Sequence, residues 1–133
     1  MRTIKFRGWA IYEKRWIIGD LVDTDPNDGP SIQYNDEEDG WMVDNVNEKS
    51  LGQFTGIIDV NGAEIFEGDI IEVTLKYDNN AVSTYKAVVD MKEGAFGFKN
   101  KQGFAPFYGQ THENFKVVGN IFDNPELLKG GKK

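Results

Sequence analysis

The sequence predicts a mainly β protein with an N-terminal part of one hairpin and short strands, a small closed C-terminal β-barrel, and a short terminal helix. Three observations predict it. Apolar and polar residues alternate strictly in the best segments; in Asp69–Tyr77, Ile71, Val73, Leu75 and Tyr77 share one face and Glu72, Thr74 and Lys76 the other. After residue 69, turn-forming residues recur about every ten positions, as in small barrels, whose closure removes exposed strand edges. The 133 residues include 15 glycines against 4 prolines and are 39% hydrophobic and 13% aromatic, which suits many turns around a real core.

In chain order, Thr3–Trp9 reads as a strand with Ile4, Phe6 and Gly8 on one face and Lys5, Arg7 and Trp9 on the other. Tyr12–Arg15 is a polar turn and Trp16–Val22 the returning strand. Asp23–Pro30 reads as a loop, because Pro, Gly, Asp and Asn favour turns. Ser31–Tyr34 and Trp41–Val43 are short strands around the charged turn Asp36–Gly40. The central stretch Leu51–Ile71 holds an apolar run, an Asn61-Gly62 turn of the type I′ hairpin kind, and Gly68-Asp69 opening the next strand. Thr84–Met91 repeats the alternation with Tyr85, Ala87, Val89 and Met91 inward. Ala95–Lys99 carries Gly97, which marks a bend or a close backbone approach. Phe104–Tyr108, broken by Pro106, is an edge strand or irregular. Phe115–Phe122 is the last strand. Asn124 then reads as a helix N-cap, with Pro125 at the first helical position and Glu126 at the positive end of the dipole. Gly130–Lys133 is a frayed tail. The expected division is an N-terminal part, 1–50, and a C-terminal barrel, 51–133, which can also form one compact unit.

Composition excludes several chemistries. The sequence has no cysteine, hence no disulfide, thiolate metal site or cysteine nucleophile, and this suits a reducing cytoplasm. No run approaches the roughly 18 apolar residues of a membrane span. Met1–Arg7 lacks the apolar core of a signal peptide. The formal net charge is −7, and ten acidic residues with no Lys or Arg lie between Asp20 and Glu48, leaving 15 basic and 12 acidic residues elsewhere. That segment is expected to be a solvated loop system that keeps the protein soluble, the alternative being an acidic docking or metal-binding surface.

Asp23–Asp28 resembles a calcium loop but fails as one, since position six is Asp28 rather than Gly and position twelve is Tyr34 rather than Glu. The lone histidine, His112, stands in a polar loop and reads as solvated. Glu64, Glu67 and Asp69 cluster; two carboxylates can perform acid–base work or hold Mg²⁺, but Glu67 and Asp69 flank a glycine turn and are expected to accept backbone N–H bonds and fix the strand entry. The expectation is therefore no enzyme, no metal and no cofactor, but a binding module that engages a protein partner or a second copy of itself. The alternative is a nucleic-acid-binding β-barrel using Lys76–Lys116, where six lysines interleave with Phe96, Phe98, Phe104, Phe107 and Tyr108. A pI near 4.7 opposes that alternative.

Four blocks carry a family resemblance. They are Ile4–Trp9 (IKFRGW), Gly19-Asp20-Leu21, the central block from Gly52 to Ile70, and Val117–Leu128. In this order they resemble the YopX family of small bacteriophage and prophage proteins. The motif positions are Gln53, Thr55, Gly56, Asp59, Asn61, Gly62, Glu64, Glu67, Gly68, Asp69, Gly119, Asn120, Asn124 and Pro125, read as structural. Ile57, Ile58 and Ala63 make the central hairpin less basic than the family pattern. The resemblance implies an SH3-type barrel in the C-terminal half and the cytoplasm of a bacterial host. It implies no activity.

Overall fold

Period-two patterning governs the structure as the sequence leads one to expect, and strands dominate. A computed structural model describes residues 3–25 and 27–129; the expected frayed tail and the proline of the Asp23–Pro30 loop, Pro26, lie outside the described residues. The strands are β1 Phe6–Ala10, β2 Arg15–Asp25, β3 Gly29–Asp36, β4 Gly40–Asn45, β5 Gly52–Ile58, β6 Glu64–Phe66, β7 Asp69–Lys76, β8 Val82–Lys92, β9 Ala95–Asn100, β10 Gly103–Pro106 and β11 Phe115–Asn120, followed by the four-residue helix α1, Glu126–Lys129. Two antiparallel sheets form, ordered β4-β3-β2-β1-β5-β6 and β10-β9-β8-β7-β11. The chain divides into two compact units, Met1–Gly56 and Ile57–Lys133. Among the described residues no helix is long and apolar enough to cross a membrane.

In the first unit, alternate residues of the meander point to one core of Ala10, Ile17, Ile32, Tyr34 and Val46, with Phe6, Met42 and Leu51 packed against it. Gly19 is required there because a Cβ would run into the Gln33 carbonyl, and at Gly8 it would come within 2.7 Å of Val46. The end of β4 returns to β1: Ala10 bridges Val46, and the Ile11 N–H donates to the Asn45 carbonyl at 3.1 Å. The expected loop at Asp23–Pro30 is corrected. β2 runs to Asp25 and β3 starts at Gly29, with Thr24 opposite Pro30 and Asp25 opposite Gly29. Pairing between long neighbouring strands overrides the local turn composition, which is confined to a tight reversal.

In the second unit the core is Ile65, Ile71, Val73, Ala87, Val89, Phe98, Phe107 and Phe115. Phe98, Phe107 and Phe115 meet with ring centroids 5.0–5.3 Å apart, two of the three pairs edge-on. The expected inward series is shortened, since Leu75, Tyr77 and Met91 are exposed where the strands outrun this core. Gly97 does mark a close approach, because a Cβ there would strike the Ala105 carbonyl on β10. The closed SH3-type barrel is corrected to an open sheet with β10 and β11 at its edges. The four-residue β10 ends at Pro106, which has no N–H to offer a further strand. The aromatic trio fills the core that closure was expected to enclose.

Candidate functional site

The motif residues of the second unit converge on one place. β7 and β11 pair with Asp69 opposite Asn120 and Ile70 opposite Gly119, around an irregularity between Val117 and Gly119. Asp59, 2% exposed, is the hub. Its Oδ1 accepts the N–H groups of Asn61 and Ala63, both at 2.8 Å, and its Oδ2 accepts that of Val117 at 2.9 Å. Burial alone would raise the Asp59 pKa; the three N–H donors, with the Lys116 charge, outweigh it and hold the carboxyl below its ordinary value. The Asn61-Gly62 turn is not type I′. Gly62 has φ of 85° while Asn61 stays at negative φ, and the Asp59 N–H donates to the Ala63 carbonyl. This is a three-residue loop closed by a left-handed glycine, selected by the Asp59 side chain.

Asp69, 1% exposed, accepts the Phe66 N–H at 2.7 Å. Between them Gly68 adopts φ of 89°, donates its N–H to Val89 and accepts that of Ile121 at 2.8 Å. Glu64 and Glu67 are half-buried on either side. Asn120 Oδ1 accepts the N–H groups of Phe122 and Asp123. The Asn124 carbonyl accepts the Leu127 N–H at 3.0 Å, as at a helix start, while its Oδ1 turns back to the Asn120 N–H at 3.2 Å, and a Cβ at Gly119 would come within 2.7 Å of that oxygen. Pro125 follows, exposed, ahead of α1. Gln53, Thr55 and Gly56 lie on β5 in the first unit, Gln53 opposite Phe6 and Gly56 at φ of 87°. Asp59 and Asp69 spend carboxylate oxygens on backbone amides, a geometry that pins chain rather than moves protons. His112 is exposed in a 3-10 turn, His112–Asn114. Among the described residues no three His, Cys, Asp or Glu are grouped to hold a metal ion.

A different kind of surface stands on the first unit's sheet. The face opposite its core carries Arg7 and Trp9 from β1, Trp16 and Ile18 from β2, and Trp41 and Val43 from β4. Trp9 lies opposite Trp16, their rings edge-on at 5.8 Å, and the Arg7 guanidinium sits 4.9 Å from the Trp16 ring. Trp41 is 68% exposed, Val43 55% and Ile18 45%. A cleft of about 600 Å³ lies at this end of β2 and β3, lined by the outward Trp16, Ile18 and Asn35, by the inward Arg15, Ile17 and Tyr34, and by Asp36, Glu37 and Glu38. The Asp36–Asp39 turn rims it. Asp36 accepts the Glu38 and Asp39 N–H groups and the Arg15 guanidinium, which leaves Glu37, Glu38 and Asp39 facing solvent. The backbone donors, more than Arg15, lower the Asp36 pKa. Behind the face, the Tyr34 hydroxyl donates to Asp44 and accepts from Arg15 at 3.0 Å. Sequence reading did not single this face out, because Trp16–Val22 reads as apolar on both faces and only the register with β1 sets Trp16 beside Trp9.

The second unit has its own cleft, about 470 Å³, bordered by Leu75, Tyr85, Phe98, Lys101, Gln102 and Phe104. The Lys92 ammonium lies 5.9 Å from the Phe104 ring centre.

Fold and surfaces together define a two-unit antiparallel β protein whose motif builds a backbone lock. The chain belongs to the YopX protein family, whose model matches residues 5–129. It is similar in fold to the crystal structure of protein EF1440 from Enterococcus faecalis, with a TM-score of 0.56 and 23% identity, over 96% of this chain and 99% of that one. No curated protein matches it.

Proposed function

We propose that this protein is a non-enzymatic interaction module of phage or prophage origin, acting in the bacterial cytoplasm, and that the outer face of its N-terminal sheet receives a basic protein. One observation carries the reading: Ile18, Trp41 and Val43 are exposed together on a sheet face that also bears Trp9 and Trp16. Aromatic residues enriched on one exposed face mark binding surfaces. The occupant follows from charge. Glu37, Glu38 and Asp39 rim the face, within a stretch from Asp20 to Glu48 that has ten acidic residues and no Lys or Arg; this favours a basic protein over nucleic acid or a second acidic copy. The non-enzymatic reading is supported by buried carboxylates engaged by backbone and by an exposed, solitary histidine. The test is selection from a displayed random peptide library on the full chain and on a Trp41→Ser/Val43→Thr variant. Enrichment of basic, apolar peptides that the variant fails to bind is expected. Peptides indifferent to the variant, or none at all, would sink the proposal.

A second reading rests on the second unit's cleft, where the half-buried rings of Tyr85 and Phe104 stand beside Lys101. It is the chemistry of single-stranded nucleic-acid binding. A fluorescent oligonucleotide titrated at low ionic strength tests it, and absence of salt-sensitive binding removes it.

A further inference from the structure

The outer face ends at an open strand edge, and the alternation of the ladder shows which backbone groups that edge offers. β4 is the last strand in its sheet, paired with β3 from Gly40 opposite Asp36 to Asn45 opposite Ser31. One step further, the Val46 N–H donates to the Pro30 carbonyl at 2.9 Å. In an antiparallel ladder hydrogen-bonded pairs alternate, so Asp44, Met42 and Gly40 turn their N–H and C=O groups to β3. Trp41 and Val43 turn theirs to the open side. Beyond them the edge is closed, because the Asn45 carbonyl is taken by the Ile11 N–H, and the chain after Ile11 leaves as a turn. The open part is thus a short slot, with two donors and two acceptors from the same two residues whose side chains are the most exposed of the apolar face.

Such an edge normally carries a guard: a lysine, a proline or a bulge. Gly40–Asn45 has no Lys or Pro, and its pairing with β3 runs without a register shift. Its one inward charge, Asp44, is bonded to the Tyr34 hydroxyl. We infer that an extended, basic segment of the partner protein adds as a strand along Trp41–Val43, hydrogen-bonding their backbone and laying alternate side chains on the tryptophan face. The inference rests on the reading of that face as an interface and specifies how the partner is held. Main-chain pairing supplies attachment, and side-chain pockets supply selectivity. Charge fixes the class of occupant. Glu37, Glu38 and Asp39 lie at the Gly40 end of the slot, so cationic side chains belong there, whereas a second copy would bring its own acidic turn to the same edge.

The experiment titrates the full chain with a synthetic octapeptide of alternating lysine and valine. Controls are a glutamate–valine counterpart and a lysine–valine peptide N-methylated at alternate residues. Amide signals of Trp41 and Val43 are followed by NMR. The lysine–valine peptide should bind, weaken with salt, and slow hydrogen exchange at those two amides. N-methylation should weaken it about tenfold or more, since it removes hydrogen bonds each worth about 1 kcal/mol. Glu37→Lys/Glu38→Lys should also weaken it, and the glutamate peptide should fail to bind. Failure of the lysine–valine peptide, or equal affinity of the N-methylated form, overturns strand addition. In the latter case, binding still lost with Trp41→Ser leaves the face standing as an interface of another geometry. Protection of the Trp41 and Val43 amides in a peptide-free dimer overturns it in favour of a second copy.

Discussion

Replacing Asp59 tests whether one buried carboxylate ties the second unit together. Asp59→Ala removes the acceptor of three N–H groups, from Asn61, Ala63 and Val117. A hydrogen bond to a charged group contributes about 1.5–3 kcal/mol. Asn61 and Ala63 are exposed, so water takes up their N–H groups and their loss falls at or below the low end; Val117 is half-buried and its loss is fuller. The sum for alanine is about 3–5 kcal/mol, a large part of the roughly 7–20 kcal/mol expected for a chain of this length. Asp59→Asn keeps the oxygen for the turn but presents an NH₂ group to the Val117 N–H, so about 2 kcal/mol is expected. The sign with pH follows from the lowered pKa. A carboxyl lowered in the folded state contributes stability that is complete above the unfolded pKa, about 3.9, and is lost as pH falls through the folded value. Urea unfolding followed by far-ultraviolet circular dichroism at pH 7 and at pH 3 provides the assay. Asp59→Asn should lose stability at pH 7 and narrow its gap to the parent at pH 3. An unchanged midpoint at pH 7, with Val117 amide exchange as slow as in the parent, would refute the reasoning.

Three further outcomes are expected. Gly68→Val should lose about 1–3 kcal/mol in urea unfolding from the positive φ alone, because the nearest atom to a new Cβ, in Ile121, is 3.8 Å away; Gly68→Ala should lose less. Gly97→Ala should lose about 1–3 kcal/mol by overpacking against Ala105 and speed amide exchange in β9 and β10. Tyr34→Phe, which leaves Asp44 without its hydroxyl donor and Arg15 with Asp36 but no longer the Tyr34 oxygen as acceptor, should lose about 1–3 kcal/mol, read by tryptophan fluorescence, since Trp9, Trp16 and Trp41 all lie in the first unit.

The legible parts of the fold were those fixed by local chemistry. Alternation placed β7 and β8, Gly68-Asp69 opened a strand, and Gly97 marked a close approach, because each rests on a period or a backbone need that a few residues express. What was illegible depended on partners distant in sequence. Nothing near Asp23–Pro30 reveals that long strands on both sides will pair and compress the loop. The carboxylate role was assigned to Glu67 and Asp69, whereas Asp59 is the larger hub: its Asp-x-Asn-Gly setting signals the local turn, but no local pattern points to Val117. Asn124 opens the terminal helical turn through its carbonyl, but nothing local shows that its side chain ties back to the strand end at Asn120. Barrel closure failed as an expectation because strand spacing carries no information on whether the first and last edges meet. The tryptophan face was hidden because Trp16–Ile18 is apolar on both sides of its strand, and only the pairing with β1 shows that Trp16 stands beside Trp9.

The bond from Val117 to Asp59 spans 58 positions, and that span has a consequence in time. At about 5–20 residues per second, a ribosome completes the second partner about 3–12 s after the first. Through that interval the Asp59 turn exists without its third donor, and β7 without the strand β11 beside it. The tryptophan-bearing unit needs nothing beyond Gly56 for its own core. Synthesis therefore completes the tryptophan-bearing face before the motif region is finished, and a defect in the lock would show as slow maturation of nascent chains whose tryptophans already report a native environment.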